Sequence, residues 1–304
     1  MDYLQAWTRP RSRSVTKIVN TTSGWNRSAG WSYRGFTTAL NGVRPLDSKV
    51  AMILTNYNMP EAADAIAVGL TLAGGSSEGL YDLYVVDNGS DLKEPAGSTT
   101  VMLPENCQTT GGFLTGIAAA KKSGIDYIAY CFMITSMQWQ KYIGVSDAIN
   151  VFEKEPNVVG YSPTLTVAST TAWDHMKTRK QATAINEPFL PYQRPTWMID
   201  NICAFWRADW FDSIGWFDPK FTYAWGIDLE TSYIARKQGR GIILDDYWTV
   251  HKTTDIAYDM DRMNMTALQR RTNAGAEMDK VMTAKYGDDW SEKMREEFVT
   301  EDMQ

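Results

Sequence analysis

Two short polar segments, each directly after a predicted buried strand, hold the side chains best suited to bind a nucleotide. The predicted buried strand Val50–Thr55 leads into residues 55–58, and the predicted buried strand Tyr81–Val86 leads into residues 87–91. Ligands of parallel α/β sheets bind outside the carboxyl ends of the strands, so both segments are expected to border one site. Their groups can pair with a base, a ribose or a phosphate. The candidate side chains are Thr55, Asn56, Tyr57, Asn58, Asp87 and Asn88.

Several other kinds of site are excluded by the sequence. It contains no GxxxxGK[ST] phosphate loop, no GxGxxG dinucleotide fingerprint and no HExxH pair. The chain has three widely separated cysteines and only two histidines, which excludes a Cys/His zinc site and a disulfide framework. A nucleotide site is therefore the leading hypothesis.

The elements that must position these residues alternate between strand and helix from Asp47 onward, which is typical of a mainly parallel α/β sheet. Pro60 opens the first helix, at a position where a missing N–H costs nothing. The other predicted strands are Tyr127–Ile134, Val158–Tyr161, Ile242–Leu244 and Thr249–Val250, and the other predicted helices are Gly111–Lys122, Ala208–Ile214 and Asp228–Gln238. Residues 165–200 are expected to be loop, and helical composition dominates from about residue 256, with a helix end near Tyr286–Gly287.

Charge and hydropathy limit the partners and the location. The first 49 residues hold eight basic and two acidic side chains, a local charge of +6, which leaves −12 for the rest of a chain of net charge −6. An acidic body disfavours nucleic-acid binding, so nucleic acid remains open only through the basic N-terminal extension. Because no apolar stretch reaches the roughly 18–20 residues of a membrane span, and the N-terminus lacks a signal-like apolar segment, we expect a cytoplasmic protein, with a peripheral position at a membrane surface left open.

Five motifs stand in order over about residues 49–252. They are Val50–Glu61 followed by Val85–Asp91, then Asn106 with Gly111, Gly112, Phe113 and Gly116, then Arg207–Pro219, then Trp225–Glu230, and finally Val250–His251. Together they resemble the family 2 glycosyltransferases, which have the GT-A fold, and the second motif is similar to the NxGGxGGFxRG stretch of the galactofuranosyl- and rhamnosyltransferase-like members.

The resemblance implies a single GT-A-like α/β domain that transfers a sugar, with inversion, from a UDP-, GDP- or dTDP-linked donor to a hydroxyl group. The acceptor class, whether glycan, lipid or protein, stays open. The expected divisions are an N-terminal extension (1–48), the transferase domain (49–252, with a nucleotide half at 49–135 and an acceptor half at 136–252) and a helical tail (253–304).

The resemblance also assigns roles to individual residues. Asp87 is expected to bind the base and ribose, and Gly111 and Gly112 to allow the backbone close to the nucleotide. Asp228 is expected to act as the general base, although helix statistics alone make it an ordinary N-cap residue. The residues assigned to the acceptor or the diphosphate are Glu230, Trp225, Arg207 and His251.

The sequence departs from the family at the Asp-x-Asp motif that would hold Mg²⁺ or Mn²⁺. Residues 132–134 (Phe, Met, Ile) align with it and cannot ligate a hard cation. Three explanations stay open: a metal-independent enzyme, a carboxylate supplied from elsewhere, or a catalytically inactive binding or scaffold protein. The substitutes considered are Arg194, Arg207 and Lys252 as cations, and Asp147 and Asp200 as carboxylates.

Overall fold

The computed structural model describes residues 7–8, 49–72, 79–139, 144–165, 193–252 and 265–298. These segments form ten strands and seven helices. In chain order they are β1 (Trp7–Thr8), β2 (Lys49–Asn56), α1 (Pro60–Leu72), β3 (Tyr81–Asp87), β4 (Val101–Met102), α2 (Gln108–Lys122), β5 (Tyr127–Ile134), β6 (Met137–Trp139), α3 (Val145–Lys154), β7 (Val158–Leu165), β8 (Gln193–Thr196), β9 (Cys203–Arg207), α4 (Ala208–Ser213), α5 (Ile227–Lys237), β10 (Gly241–Lys252), α6 (Ala267–Tyr286) and α7 (Trp290–Phe298).

All ten described strands belong to one mixed sheet. Its order is β1-β4-β3-β2-β5-β9-β7-β10-β6, and β8 also pairs with β10. The three longest ladders, β2–β3, β2–β5 and β7–β10, are parallel. Strand β9 is antiparallel to both of its neighbours. Strands β2, β3, β4, β5, β7 and β10 therefore point one way, and we call the two ends of the sheet their carboxyl edge and their amino edge.

Helices cover both faces of the sheet. The alternation of side chains along β2 sends Val50, Met52 and Leu54 into one core and Ala51 and Ile53 into the other. The first core is closed by α1 and α3, which we call the α1 face, and the second by α2 and α4 to α7, which we call the α2 face. Because both faces are buried, the central strands are apolar throughout rather than alternating.

The predicted α/β class, with a mixed sheet flanked by helices and helices near the C-terminus, is confirmed. The apolar runs give β2, β3 and β5 within one residue of their predicted bounds, and α6 ends at Tyr286 before Gly287, which has φ +92°. The N-terminal extension contributes β1 to the edge of the sheet, and its other residues lie outside the described residues.

Three predicted features need correction. Residues 193–196, expected to be loop, form β8, where Pro195 is tolerated because β8 pairs with β10 alone among the described strands. The two short strands expected at 242–250 are one strand, β10, whose pairing with β7 is interrupted between Asp245 and Thr249. Helix α2 begins at Gln108, three residues before the expected start, and β1, β4, β6, β9 and α3 were not predicted.

Within the described part of the chain, none of the helices has the length and apolar character to cross a membrane.

Candidate functional site

The chain crosses the sheet from β2 through β3 to β4 and then returns past β2 to β5, so its direction of travel reverses after β4. Strand β2 leads into α1 on one face, whereas β3 leads through β4 into α2 on the opposite face. Loops that leave to opposite faces beside such a reversal mark the usual ligand site of these sheets, and we call this position, outside the carboxyl ends of β2 and its neighbours, the crevice. The two polar segments that the sequence analysis singled out, residues 55–58 and 87–91, border this crevice.

Asp87 locks the turn that follows β3. Its carboxylate accepts hydrogen bonds from the backbone N–H of Ser90 (2.9 Å), from Ser90 Oγ (2.8 Å) and from Asn56 Nδ2 (3.2 Å). The Asp87 residue is only 1% exposed. A carboxylate offers about four acceptor positions, so the protein leaves roughly one for a ligand. Asp87 therefore shapes the crevice at least as much as it can bind anything in it.

Asn58 joins the two loops that border the crevice. It is buried with φ +54°, and its Oδ1 accepts from the backbone N–H groups of Asp91 (3.1 Å) and Leu92 (3.0 Å). Its Nδ2 donates to Asp91 Oδ1 (2.9 Å), which also accepts from the Tyr57 hydroxyl (3.0 Å). Burial raises the pKa of Tyr57. The half-buried Tyr57 thus presents a neutral ring beside the crevice.

Asn88 fixes the start of α2. Its Nδ2 donates to Asn106 Oδ1 (3.1 Å) and to the carbonyl of Gln108 (2.8 Å), and its Oδ1 accepts from the N–H of Cys107 (3.0 Å). Gly89 lies so close that an added Cβ would be 2.2 Å from the Glu105 carbonyl carbon. The turn after β3 and the loop before α2 are therefore one packed unit. In the sequence, Asn106 is recognisable only as part of a motif, and its contact with Asn88 was not predicted.

Gly112 was expected to let the backbone come close to the nucleotide, but in the structure it lets helix α2 come close to strand β2. A Cβ on Gly112 would lie 2.4 Å from Thr55 Cγ2, and one on Gly116 would lie 2.3 Å from Ile53 Cγ2. Gly111 is buried in the same turn, and its carbonyl accepts from Thr115 Oγ1 (2.9 Å). These glycines thus let α2 pack directly on β2, which places the start of α2 at the crevice.

Replacing Gly112 by Ala is expected to lower the free energy of unfolding in the wild-type background and to raise it when Thr55 is also Ala. Overpacking costs about 1–3 kcal/mol, against about 1 kcal/mol gained from helix propensity. Thr55→Ala removes both Cγ2 (2.4 Å) and Oγ1 (3.1 Å), so the nearest atom of residue 55 is then Cβ, at 3.4 Å, and only the gain remains. Urea unfolding of the four proteins measures the coupling. Equal effects of Gly112→Ala in both backgrounds would contradict this packing.

Asp228 lies in the first turn of α5, at the carboxyl edge. Helix α5 is followed after three residues by β10, which starts at the amino edge, so α5 begins at the opposite, carboxyl edge. The N-cap of α5 is Gly226 (φ +94°), so Asp228 is not the N-cap residue that helix statistics favour. The half-buried Asp228 carboxylate accepts from the N–H of Leu229 (2.9 Å) at the positive end of the helix dipole.

Two hydrogen bonds tie the crevice to the segment that leads into α5. Thr110, in the first turn of α2, donates its N–H to the carbonyl of Thr222 (3.3 Å) and its Oγ1 to the carbonyl of Phe221 (2.5 Å). Helix α2 starts beside Asn88, and Asp228 follows Thr222 by six residues. The structure therefore brings Asp228 to the same end of the α2 face as the polar segments after β2 and β3.

Glu230 is placed in a buried ion pair. It is 4% exposed, and its Oε1 lies 2.5 Å from Lys285 Nζ and 2.8 Å from the hydroxyl of Tyr286, both on α6. Burial alone would lower the pKa of Lys285, but its contacts with Glu230 and Asp218 raise it overall. The carboxylate expected to contact the acceptor thus anchors α6 instead. Trp225 is half-buried and lies over Gly275 of the same helix.

Arg207 lies at the other end of the sheet. Because β9 is antiparallel, its last residue faces Ala129 near the start of β5, at the amino edge. The guanidinium donates to the carbonyls of Phe152, Glu155 (3.0 Å) and Val158 (2.8 Å), where it caps the end of α3, and burial lowers its pKa. A contact between Arg207 and a diphosphate in the crevice does not fit this position.

His251 is placed at the carboxyl edge, near the end of β10 and opposite Gln138 of β6.

The alternative carboxylate Asp200 also lies at the carboxyl edge. Cys203 pairs with Met133, so residue 200 comes beside the end of β5. Asp200 is 7% exposed, and its Oδ1 accepts from the N–H of Ile202 (3.0 Å). Asp147 lies in the first turn of α3, on the α1 face. Arg194 pairs with Asp246 (2.7 Å).

The residues at the Asp-x-Asp position do not fit a divalent cation. Phe132 and Met133 are fully buried on opposite faces of β5, and Phe132 packs against Phe113, Phe211 and Phe217, with ring centroids 4.7–5.6 Å apart. In the segments that the structure describes, no group of three or more His, Cys, Asp or Glu is placed to hold a metal ion.

The sequence matches no protein-family model and no curated protein. Among solved structures, the chain is similar to the crystal structure of GalNAc-T7 with UDP, GalNAc and Mn²⁺, with a TM-score of 0.44 at 10% sequence identity. The match covers 67% of this chain and 44% of that one, so this chain corresponds to less than half of that protein. The likeness is one of fold.

Proposed function

We propose that this protein is a glycosyltransferase that moves a sugar from a nucleotide-diphosphate donor to a hydroxyl acceptor with inversion of the anomeric centre. The observation that carries the proposal is the placement of Asp228. The residue that the family resemblance names as the base begins α5 at the same edge as the crevice after β2 and β3, and Thr110 joins the two parts.

The donor would lie in the crevice at the carboxyl edge. Tyr57 offers a neutral aromatic face for the base, and Asp87 retains about one acceptor position for a ribose hydroxyl. The start of α2 is the positive end of a helix dipole, which favours the negative charge that develops on the departing diphosphate. No acidic residue in the first turn of α2 opposes this effect. These contacts come from the chain itself, and none of them requires a metal ligand at residues 132–134.

The chemical step would be a single displacement. The Asp228 carboxylate takes the proton of the acceptor hydroxyl as its oxygen bonds to the anomeric carbon. The bond between that carbon and the diphosphate oxygen breaks at the same time, and the nucleoside diphosphate leaves with the electron pair. General-base assistance of this kind contributes about 10²–10⁴-fold to a rate.

A non-catalytic glycosyltransferase-like binding or scaffold protein is the second candidate. The observation that favours it is the burial of Phe132 and Met133 in the core at the position of the metal motif. Without a substitute, losing charge compensation at the leaving diphosphate would cost orders of magnitude in rate.

Calorimetric titration with UDP-, GDP- and dTDP-sugars, with Mn²⁺ and with EDTA, separates the two candidates. We expect one donor class to bind and to be slowly hydrolysed, with similar affinity under both conditions. Binding without any hydrolysis or transfer would support the non-catalytic protein. Absence of binding to every donor, with and without Mn²⁺, would overturn the proposal.

A further inference from the structure

Helix α6 lies outside the motifs that resemble glycosyltransferases, yet it holds the segment that carries Asp228. We call residues 218–230, from Asp218 to Glu230, the base segment. Its middle is gripped by Glu277 of α6: Thr222 Oγ1 donates to Glu277 Oε2 (2.5 Å), and the Tyr223 N–H donates to Glu277 Oε1 (3.1 Å). The Glu277 carboxylate thus binds two consecutive residues, through the side chain of Thr222 and the backbone of Tyr223.

Both ends of the base segment are held by the same helix. Lys285 Nζ lies 2.9 Å from Asp218 Oδ2 and 2.5 Å from Glu230 Oε1, so a single ammonium group joins the first and last residues of the segment. The Tyr286 hydroxyl donates to Glu230 as well (2.8 Å). The base segment therefore has a three-point attachment to α6.

The backbone of the base segment needs such support. Ala224 has φ +64°, which an L-residue rarely adopts, and Gly226 has φ +94°. At Gly226 an added Cβ would lie 2.9 Å from Met278 of α6 and from Phe221. A strained conformation of this kind persists only where the surroundings determine it. Only Ala224 is strained, because glycine adopts a positive φ freely, and Ala224 lies between the Glu277 contacts and Asp228.

We propose that Glu277 is a positioning residue for Asp228, so that α6 completes the active site from outside the motifs that resemble glycosyltransferases. The inference rests on the proposed function. Thr222 is held on one side by Thr110 of α2 and on the other by Glu277, and this double attachment sets where α5 begins relative to the crevice. Removing the Glu277 contact loosens that setting and leaves the donor loops after β2 and β3 untouched.

The test compares Glu277→Ala and Glu277→Gln with Asp279→Asn. Asp279 is on the same helix, two residues on, and its carboxylate accepts from Trp290 Nε1 of α7 (3.0 Å) rather than from the base segment. Since a misplacement of about 1 Å can cost up to 10²-fold in rate, we expect kcat to fall roughly 10- to 100-fold in Glu277→Ala, with less than a twofold change in donor KM. Glu277→Gln, which keeps one acceptor oxygen, should fall in between, and Asp279→Asn should stay within twofold.

Hydrogen exchange of the peptide covering residues 218–230 gives a readout that does not depend on activity. We expect faster exchange there in Glu277→Ala, with unchanged exchange in the segments after β2 and β3. An unchanged kcat in Glu277→Ala, or an equal loss in Asp279→Asn, would overturn the inference, as would unchanged exchange. If the wild-type protein shows no transfer or hydrolysis, the proposed function fails by itself, and exchange still decides whether Glu277 orders the segment.

Discussion

Replacing Asp228 by Asn is expected to lower the rate of donor hydrolysis and of transfer by about 10²–10⁴-fold while leaving the donor Kd within about twofold. Asn has the shape of Asp but cannot take the proton of the attacking hydroxyl. The donor loops after β2 and β3 make their hydrogen bonds without Asp228, so the crevice should bind as before. Hydrolysis, in which water replaces the acceptor, allows the rate to be measured before the acceptor is known.

Asp209 offers a matched control for this substitution. It is also the second residue of its helix, α4, and its Oδ1 accepts from the N–H of the following residue, Trp210 (2.6 Å), as Asp228 does from Leu229 (2.9 Å). Helix α4 follows β9 at the amino edge, away from the crevice. Asp209→Asn repeats the loss of charge at a helix start and should leave the rate unchanged. Equal rates for wild type and Asp228→Asn would remove Asp228 from the mechanism.

Strands β2, β3 and β5 could be predicted from sequence because burial alone sets their residue pattern. Strands β2 and β5 are buried on both faces and are continuous apolar runs, and β3 is apolar from Leu83 to Val86. Strand β10 was not predicted whole, because residues 245–248 interrupt its apolar pattern. Strand β8 contains Pro195, which marks a loop unless the strand is known to pair on one side.

The location of the candidate site was predictable, but the contacts of its side chains were not. Parallel strands bring their carboxyl ends to one edge whatever else the chain does, which is enough to place residues 55–58 and 87–91 together. The partner of Glu230 is Lys285, 55 residues later, and Arg207 caps a helix that ends at Lys154. No local pattern encodes such pairs, and a resemblance transfers a role only where the surroundings are also shared.

Asp245, which the sequence analysis missed, is expected to be among the most sensitive positions for stability. It is fully buried at the irregularity in β10, where Asp245 pairs with Pro163 but Thr249 already pairs with Thr164. The register between β10 and β7 skips the three residues between them. Asp245 binds two of these residues, because its Oδ1 accepts from the N–H groups of Tyr247 (2.8 Å) and Trp248 (3.2 Å).

Replacing Asp245 by Ala should therefore lower the free energy of unfolding by about 3–5 kcal/mol. Two backbone N–H groups and the Tyr161 hydroxyl, which donates to Asp245 Oδ2, would lose their acceptor, at roughly 1–3 kcal/mol for each one left buried. Burial and the neighbouring Asp245 raise the pKa of Tyr161, so Tyr161 remains a donor throughout the physiological range. Urea unfolding measures the loss.

Asp246→Ala is the matched control, because Asp246 is the next residue but is exposed and pairs with Arg194 (2.7 Å) at the surface. Surface pairs are worth about 0–1 kcal/mol, so this change should be small. Similar losses in the two variants would show that the interruption in β10 does not depend on Asp245. We also expect the two changes to differ in their effect on the site. Pairing of β10 with β7 resumes at Thr249, and His251 lies only two residues further along the strand. A shift of the His251 NMR signal in Asp245→Ala, absent from Asp246→Ala, would link this buried carboxylate to the carboxyl edge where the donor is proposed to bind.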